Sequence, residues 1–324
     1  MSNREILILG AGVSGLTCAV ALAERGYAVR VLTAAMPLQT TSAVAGGLWM
    51  PYKIEPKDRV IEWSRVTVER LIELSRDAEC GVIETESWQL FRRPPESDEL
   101  FWLRALPVDR WRRLDGGGIP AGYVDGYSLR VFVMDVPVYL PWLARRVEML
   151  GGTIELLPSP VESLDLLFSR CNVIVNCAGL SAGRLCDDRE VFPIRGQVVK
   201  VENTSIRRAI CDEQDEAELT YTIPRSRDVV LGGTTEPGQV DTTPDSAVSR
   251  RLIDRNARLQ PALAQARVLR EEVGLRPGRS AVRLQREDRA GGTIIHNYGH
   301  GGAGYTVSWG CAADVAAIVQ ACAQ

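Results

Sequence analysis

The first 33 residues constrain the fold of this chain more than any other stretch, because a strand, a glycine-rich turn, a helix and a second strand follow one another directly. Residues 6–9 are wholly apolar, as expected of a strand that is covered on both faces of a parallel sheet. They lead into Gly10-Ala11-Gly12-Val13-Ser14-Gly15, and residues 29–32 form the next apolar run. The order predicts a βαβ unit that binds a dinucleotide.

Each glycine of this turn has a separate role. Gly10 permits the tight turn, Gly12 lets the backbone approach a pyrophosphate, and Gly15 allows the helix to pack closely on the strand. The unpaired N–H groups and the positive dipole end of the helix face the phosphates. We therefore assign the whole turn to cofactor binding: Gly10, Ala11, Gly12, Val13, Ser14 and Gly15.

One expected part of a dinucleotide site is missing. An Asp or Glu about twenty residues after the glycines usually binds the ribose hydroxyls. Here the second strand ends in Leu32-Thr33-Ala34-Ala35. The Thr33 hydroxyl or the backbone is therefore expected to hold the ribose.

Length and composition indicate an enzyme-sized globular protein. A chain of 324 residues with 45% apolar residues can form two domains with a substantial core. The formal net charge of -3 and the scattered arginine pairs argue against nucleic-acid binding. No apolar run reaches the roughly eighteen residues that cross a bilayer, and the N-terminus leads into a strand, so we predict a cytoplasmic protein with no membrane partner. The eight cysteines, without a C-x-x-C pair, are expected to be buried thiols and not a metal site.

The rest of the chain alternates between the nucleotide-binding fold and a second region. Small residues from Thr40 end in bulky ones at Leu48, Trp49 and Tyr52, which favours a loop along a flat ligand. A second glycine-rich turn, residues 299–306, precedes the C-terminal helix. It predicts that a second end of the ligand is bound at the N-terminus of that helix. Periodicity predicts helices over 59–78, 137–150 and 244–259, strands over 153–157, 172–177, 197–202, 219–224, 229–233, 268–275, 281–285 and 293–298, and short strands between turns over 81–127.

The expected fold class is α/β, with a Rossmann-type nucleotide-binding domain and a mixed or antiparallel-sheet substrate domain inserted into it. We assign residues 1–52, 136–183 and 275–324 to the first domain. Residues 53–135 and 184–274 form the second.

Several motifs agree with one family. They are residues 10–16, 40–52, 173–179, 195–197, 274–277 and 296–302, the last continuing through Trp309-Gly310-Cys311. Together they closely resemble the D-amino-acid and D-aspartate oxidases, and the likeness spans the chain from end to end. The resemblance implies FAD as cofactor, a D-amino acid and O2 as substrates, and hydrogen peroxide as a product.

The resemblance also implies where FAD lies. Its adenosine lies on the N-terminal unit, with Val161 at the adenine, and its flavin lies between residues 46–48 and the C-terminal turn. A helix that begins after Thr306 is expected to stabilise the charge on reduced flavin. The further cofactor residues are Thr40, Thr41, Ser42, Gly46, Gly47, Leu48, Val161, Gly301, Gly302, Ala303, Gly304, Tyr305 and Thr306.

The substrate residues are implied in the same way. Arg276 matches the arginine that grips the substrate carboxylate through two parallel bonds, and Tyr221 matches the tyrosine that donates to the same carboxylate. The Gly302 carbonyl accepts from the amine, and Met50 and Tyr52 line the pocket.

Departures from the family pattern bear on the substrate. Ala217 stands where many members have a second pocket tyrosine, and Met50 replaces a polar glutamine. The pocket wall is therefore apolar, and neutral D-amino acids are expected. Arg225 and Arg227 are near enough in sequence to leave an acidic side chain open as an alternative.

The expected activity is oxidative deamination to a 2-oxo acid, ammonia and hydrogen peroxide, by hydride transfer to flavin N5. His296 and His300 are left out of catalysis, since the family's hydride transfer needs no histidine. The alternatives are a D-aspartate, glycine or sarcosine oxidase on the same fold, or a dinucleotide-binding protein without oxidase chemistry. A homodimer is left open.

Overall fold

A computed structural model describes residues 5–203, 205–215, 217 and 219–322 of the protein. Helices pack on two β-sheets throughout this part of the chain. The α-helices are α1 (Val13–Ala23), α2 (Lys57–Leu74), α3 (Val136–Met149), α4 (Ser181–Leu185), α5 (Ser246–Leu259) and α6 (Gly304–Ala321).

The first sheet is mostly parallel and begins with the predicted N-terminal unit. Its strands are β1 (Glu5–Leu9), β2 (Ala28–Thr33), β6 (Thr153–Leu156), β7 (Val173–Asn176), β14 (Arg283–Arg289) and β15 (Gly292–Tyr298). In the described residues their order is β14-β15-β7-β1-β2-β6, and β14 alone is antiparallel to its neighbour.

Alternating side chains of β1 enter two different cores. Ile6 and Ile8 pack with α1, α3 and α6 on one face of the sheet. Leu7 and Leu9 pack on the other face, against the short 3₁₀ helix Leu164–Ser169. Burial on both faces explains why this strand has no polar residue.

The second sheet is mixed. Its strands are β3 (Val82–Phe91), β4 (Trp111–Arg113), β5 (Asp125–Met134), β8 (Phe192–Glu202), β9 (Arg208–Asp212), β10 (Thr220–Pro224), β11 (Asp228–Gly232), β12 (Glu236–Pro237) and β13 (Val268–Gly278). Within the described ranges the order is β12-β8-β11-β10-β9-β3-β5-β4, with β13 also paired to β8. The pair β3–β9 is parallel and the other pairs are antiparallel. The predicted α/β class, with one parallel and one mixed sheet, is confirmed.

Residues 81–127 differ from their prediction as a set of short strands. They contain the ten-residue β3, which pairs along its whole length with β5. Thr85, Ser87 and Gln89 are polar and buried on one face of β3, whereas Trp88 on the other face is only partly buried. This arrangement inverts the apolar alternation by which a half-buried strand is normally recognised.

Three predicted boundaries also differ. The helix predicted over 59–78 is α2, which ends at Leu74 because the chain then turns, with the N–H of Cys80 donating to the carbonyl of Asp77 at 3.2 Å. The strand predicted over 281–285 is β14, displaced towards charged residues at the sheet edge. The domain boundary proposed at residue 275 falls inside β13.

None of the helices in the described residues is both long and apolar enough to span a bilayer. The same residues contain no cluster of three His, Cys, Asp or Glu side chains that could hold a metal ion. None of the eight cysteines, all of which lie in the described ranges, forms a disulfide.

Candidate active site

A cavity of about 520 Å³ begins where β1 and β7 end, and continues to the second sheet. The carboxyl ends of these neighbouring parallel strands are at Leu9 and Asn176. In the sheet, β1 has β2 as its neighbour on one side and β7 on the other. The connections that leave the carboxyl ends of β1 and β7 therefore diverge, and the cavity opens between them. Ligands of open α/β sheets bind at such points. Gly10 lines one end of the cavity and Arg276 the other.

The turn at the end of β1 packs tightly. The N–H of Gly10 donates to the Leu32 carbonyl at 2.8 Å. A Cβ on Gly15 would lie 1.9 Å from the Gly10 carbonyl oxygen, so this glycine lets α1 approach the turn and does not line the cavity. Helix α1 has no side-chain cap from Gly12, but the N–H of Val13 donates to Oγ of Ser42 at 3.0 Å. The first turn of α1 faces the cavity through Gly12, Val13 and Ser14.

The Thr33 hydroxyl is occupied by its own loop. It donates to the Ala35 carbonyl at 2.7 Å and accepts from the Ala35 N–H at 3.3 Å. The Thr33 hydroxyl proton is therefore already used, and binding of the ribose by Thr33 or by the backbone of this stretch, which lines the cavity, stays a prediction. Gln39 and Arg184 line this end of the cavity and were not singled out from the sequence.

Val161 lies beside Arg184. One guanidinium nitrogen of Arg184 donates to the Val161 carbonyl at 2.7 Å. Both residues line the cavity together with Leu157 and Pro160, which come after β6. The predicted adenine contact therefore lies at the same end of the cavity as the β1 turn.

The segment 46–49 pairs with the second sheet. The N–H of Met134 donates to the Gly47 carbonyl and the N–H of Trp49 donates to the Phe132 carbonyl, both at 2.8 Å. Gly47 has a φ of 82°, and a Cβ there would lie 2.1 Å from the Met134 carbonyl oxygen. This position therefore requires glycine. With this backbone conformation, Gly46, Gly47 and Leu48 line the cavity wall.

The second glycine-rich turn lies on the opposite wall. Helix α6 begins at Gly304, three residues earlier than predicted, so Thr306 is already helical. The Thr306 hydroxyl donates to the Met50 carbonyl at 2.9 Å and accepts from the Met50 N–H at 3.0 Å. Thr306 and Ala303 are buried behind the wall and do not line the cavity, whereas Gly301, Gly302, Gly304 and Tyr305 do.

The loop 40–52 connects the two glycine-rich turns, because Ser42 contacts both Val13 and Tyr305. The hydroxyl of Tyr305 donates to the Ser42 carbonyl at 2.9 Å. His300 bonds through Nε2 to Oδ1 of Asn297 at 2.9 Å, and burial lowers its pKa to about 4. A neutral, buried His300 shapes this turn. His296 lies outside the cavity lining, with its Nε2 2.9 Å from a carboxylate oxygen of Glu287.

Arg276 and Tyr221 lie together at the other end of the cavity, although β8 and β11 separate their two strands in the second sheet. Arg276 lies on β13 and Tyr221 on β10. Two glycines make room for them. A Cβ on Gly196 would lie 2.1 Å from a guanidinium nitrogen of Arg276, and one on Gly232 would lie 1.8 Å from the Tyr221 ring.

The electrostatics at this end favour an anionic ligand. A guanidinium nitrogen of Arg276 donates to the Thr234 carbonyl at 3.1 Å, and the described residues provide it with no acidic partner within 4 Å. Burial raises the pKa of the Tyr221 hydroxyl, although Arg276 acts in the opposite direction. Tyr221 is therefore a neutral donor beside a guanidinium that has no ion-pair partner among the described residues.

Sequence reasoning missed two charged residues of this pocket, Lys53 and Glu213, which line it beside Met50 and Tyr52. Glu213 lies just after β9 and Lys53 just after the loop 40–52, and neither belongs to an expected motif. The suggestion that Arg225 serves an acidic side chain is wrong. Arg225 is buried in an ion pair with Asp228 at 2.6 Å, and neither it nor the exposed Arg227 lines the cavity.

The residues present fit FAD. The N-termini of α1 and α6 face one cavity, and neither N-cap residue supplies a side-chain hydrogen bond. Gly302 leaves space at the middle of the cavity, since a Cβ there would come no closer than 3.6 Å to Arg276. The hydroxyl of Tyr52 is buried without a hydrogen-bond partner among the described residues, which is a feature of a site that awaits a polar ligand.

Comparisons with known proteins agree with this geometry. Residues 5–318 match the family of FAD dependent oxidoreductases. The chain is 44% identical over 316 residues to a D-amino-acid oxidase of Rubrobacter xylanophilus, covering 97% of this chain and 95% of the relative. It is 34% identical to the human D-aspartate oxidase, covering 99% and 96% respectively.

A solved structure shares the fold. The glycine oxidase of Geobacillus kaustophilus superposes with a TM-score of 0.80 at 19% identity, covering 98% of this chain and 95% of that protein. These comparisons confirm the family resemblance that the sequence motifs indicated, and they confirm the prediction of FAD as the cofactor. The chain belongs to the FAD-dependent oxidoreductases, in the family of the D-amino-acid and D-aspartate oxidases.

Proposed function

We propose that the protein oxidises neutral D-amino acids to the imino acid, which water hydrolyses to a 2-oxo acid and ammonia. The observation that carries this proposal is the pair Arg276 and Tyr221, which offers a guanidinium without an ion-pair partner among the described residues and a neutral hydroxyl, inside the cavity that the two glycine-rich turns line. When bound, FAD supplies the hydride acceptor, and O2 takes up the electrons as hydrogen peroxide.

The proposed roles at the substrate follow from the donors present. The Arg276 guanidinium binds the α-carboxylate through two parallel bonds, and Tyr221 donates a third. The Gly302 carbonyl accepts from the α-amine. These contacts hold the α-carbon in one orientation and so determine which face of the substrate reacts. The apolar Met50 and the ring of Tyr52 contact the substrate side chain and exclude water from it.

The proposed cofactor site runs from the β1 turn to the start of α6. Gly10 to Ser14 and residues 40–42 lie at the pyrophosphate, and Val161 lies at the adenine. Residues 46–48 and 301–305 lie at the flavin. Gly15, Ala303 and Thr306 support these segments from behind. The same proposal includes two domains, one formed by residues 1–52, 136–183 and 275–324 and the other by residues 53–135 and 184–274. It also includes a cytoplasmic location.

A second candidate function is the oxidation of an acidic D-amino acid. Lys53 supports it, because it is the one lysine among the described residues of the cavity lining and could bind a second carboxylate. Its side chain is exposed, however, and its ammonium group lies 5.3 Å from the centroid of the Tyr52 ring. Glu213 lines the same pocket and repels a second carboxylate. We therefore favour neutral substrates.

A visible absorption spectrum of the purified protein, followed by a substrate panel, tests the proposal. Bound oxidised flavin should give the yellow spectrum that a nicotinamide cofactor does not. The panel should then pair each D-amino acid with its L-enantiomer and measure hydrogen peroxide. Turnover of D-alanine and D-methionine without turnover of the L-forms is expected. A flavin-containing protein that oxidises neither D-form would contradict it.

A further inference from the structure

The adenosine end of the cavity lacks the carboxylate that usually binds the ribose of a dinucleotide. Strand β2 ends at Thr33, whose hydroxyl proton is already used within its own loop. Among the described residues of the cavity lining, Glu213 is the one acidic side chain, and it lies at the substrate end. Groups other than a carboxylate therefore have to hold the adenosine half of the ligand.

Arg184 is the cation at this end of the cavity. It lies on α4, lines the cavity and is exposed. The other cations of the described lining are Lys53 and Arg276, and both lie at the substrate end. No carboxylate of the described residues forms an ion pair with Arg184. Its charge is therefore available to an anionic ligand, such as the diphosphate that joins the two halves of FAD.

The guanidinium of Arg184 also ties α4 to the loop after β6, residues 157–162. One terminal nitrogen donates to the Val161 carbonyl at 2.7 Å, and the other donates to the Glu162 carbonyl at 3.3 Å. Residues 158–162 make no other hydrogen bond to the described part of the chain. The backbone position of this loop therefore depends on Arg184.

The cavity side of the loop is apolar. Leu157, Pro160 and Val161 line the cavity and offer a flat base a surface to pack on. Apolar packing is non-directional, whereas a planar guanidinium that bridges two carbonyls fixes the loop in one place. The guanidinium of Arg184 has N–H donors beyond those that reach the carbonyls, so it can also donate to the ligand.

We propose that Arg184 is a positioning residue for the adenosine half of FAD. It fixes the loop 157–162 against the adenine and places a positive charge beside that half of the cofactor, in a site without a ribose-binding carboxylate. This inference rests on the proposed function, because it uses the cofactor site described there, with Val161 at the adenine. It concerns the affinity for the cofactor and not the choice of substrate.

The test measures ligand binding to the full-length protein after its flavin has been removed. FAD contains the whole of ADP, so ADP in competition with FAD probes the adenosine half alone. Arg184→Met removes the charge and the donors but keeps a long unbranched side chain. The Kd of FAD and the Kd of ADP should rise by the same factor in this variant, roughly tenfold or more, as expected when hydrogen bonds of a charged group are lost.

Two results of this experiment would overturn the inference. An unchanged Kd for FAD would show that the loop holds its position without Arg184. A rise for FAD without a rise for ADP would place the effect at the flavin half of the cofactor.

The control variant is Arg189→Met. Arg189 follows α4 closely, is exposed and does not line the cavity, and it forms no ion pair with the described residues. This change removes the same charge without touching the site. Both Kd values should stay at the wild-type value in the control. An equal rise in both variants would show a general charge effect and would overturn the inference.

Arg184→Lys separates position from charge. Lysine keeps the positive charge but not the planar fork that reaches both carbonyls, so it should recover only part of the lost affinity. Full recovery would show that charge acts alone and would overturn the positioning role. The same conclusion would follow if the loss in Arg184→Met disappeared at high salt, because an exposed charge is screened and a fixed loop is not.

Hydrogen exchange of the wild-type protein tests the inference without relying on a variant that folds. Backbone amides exchange when their segment opens locally. ADP alone should slow the exchange of the amides of Val161 and Glu162 and of the amides of α4, because the ligand holds the loop and the helix together. Unchanged exchange of the loop amides in the presence of saturating ADP would overturn the inference.

The outcomes separate this inference from the proposed function. If the wild-type protein contains flavin and oxidises D-alanine, but Arg184→Met binds FAD and ADP as tightly as the wild type, the inference fails and the proposed function stands. If the wild-type protein binds no flavin, both fail.

Discussion

Replacement of Arg276 by alanine should lower kcat/KM for a neutral D-amino acid and leave FAD bound. The guanidinium is half-buried, lies on the backbone of Gly196 and forms one hydrogen bond, to the Thr234 carbonyl. No carboxylate of the described residues lies within ion-pair distance of it, so the alanine variant breaks no ion pair, although Glu213 loses a nearby positive charge that lowers its pKa. Stability should therefore change little, and the main loss should be in substrate binding and orientation.

The size of that loss follows from the charge that the substrate brings. A carboxylate that has lost its buried cationic partner costs about 3 to 5 kcal/mol. Since each 1.4 kcal/mol is tenfold, kcat/KM should fall roughly a hundredfold to several thousandfold. Lysine at position 276 restores the charge without the planar fork, so it should recover only part of the loss.

Steady-state kinetics of Arg276→Ala and Arg276→Lys, measured beside their visible spectra, would test this reasoning. Equal flavin content in the wild type and both variants is expected, because Arg276 is assigned to the substrate. A kcat/KM close to the wild-type value in the alanine variant would show that the carboxylate binds elsewhere. Loss of flavin in both variants would show that Arg276 supports the cofactor.

Three further predictions follow from the same geometry. Gly12→Val should abolish FAD binding, because even a Cβ at this position would lie 3.0 Å from Oγ of Ser42; full flavin content would refute this, and Gly116→Val, in open space, is the control. Gly196→Ala should raise KM roughly tenfold or more while FAD stays bound, since its Cβ would displace the Arg276 guanidinium; an unchanged KM would show that the guanidinium can move without loss. D-alanine should exceed D-aspartate in kcat/KM, because Met50 is apolar and Glu213 repels a second carboxylate; the reverse order would favour Lys53 as the side-chain contact.

Local sequence was sufficient for the N-terminal unit and for the overall fold class. The apolar run before Gly10 and the glycine spacing after it follow from the close packing of a strand, a turn and a helix over adjacent residues. Periodicity also located the core helices, although α2 ended earlier and α6 began earlier than predicted. It failed on β3, because polar residues are buried on one face of that strand.

The motifs also identified most of the cavity lining. All the predicted site residues line the cavity except three, which support the wall from behind: Gly15, Ala303 and Thr306. A motif shows which residues occur together but not which of them point into the cavity. Gly15 packs against the Gly10 carbonyl and therefore does not reach the cavity.

Only the tertiary structure decided the electrostatic character of the substrate pocket. Lys53, Glu213 and Arg276 come from separate segments of the chain and meet at one end of the cavity. Arg225, which looked available from its position near Tyr221, is neutralised by Asp228 across a tight turn. The sequence determined where a dinucleotide binds, because that site is built from neighbouring residues. Which charges face the substrate depends on the packing of distant strands and loops, and that is set by the fold as a whole.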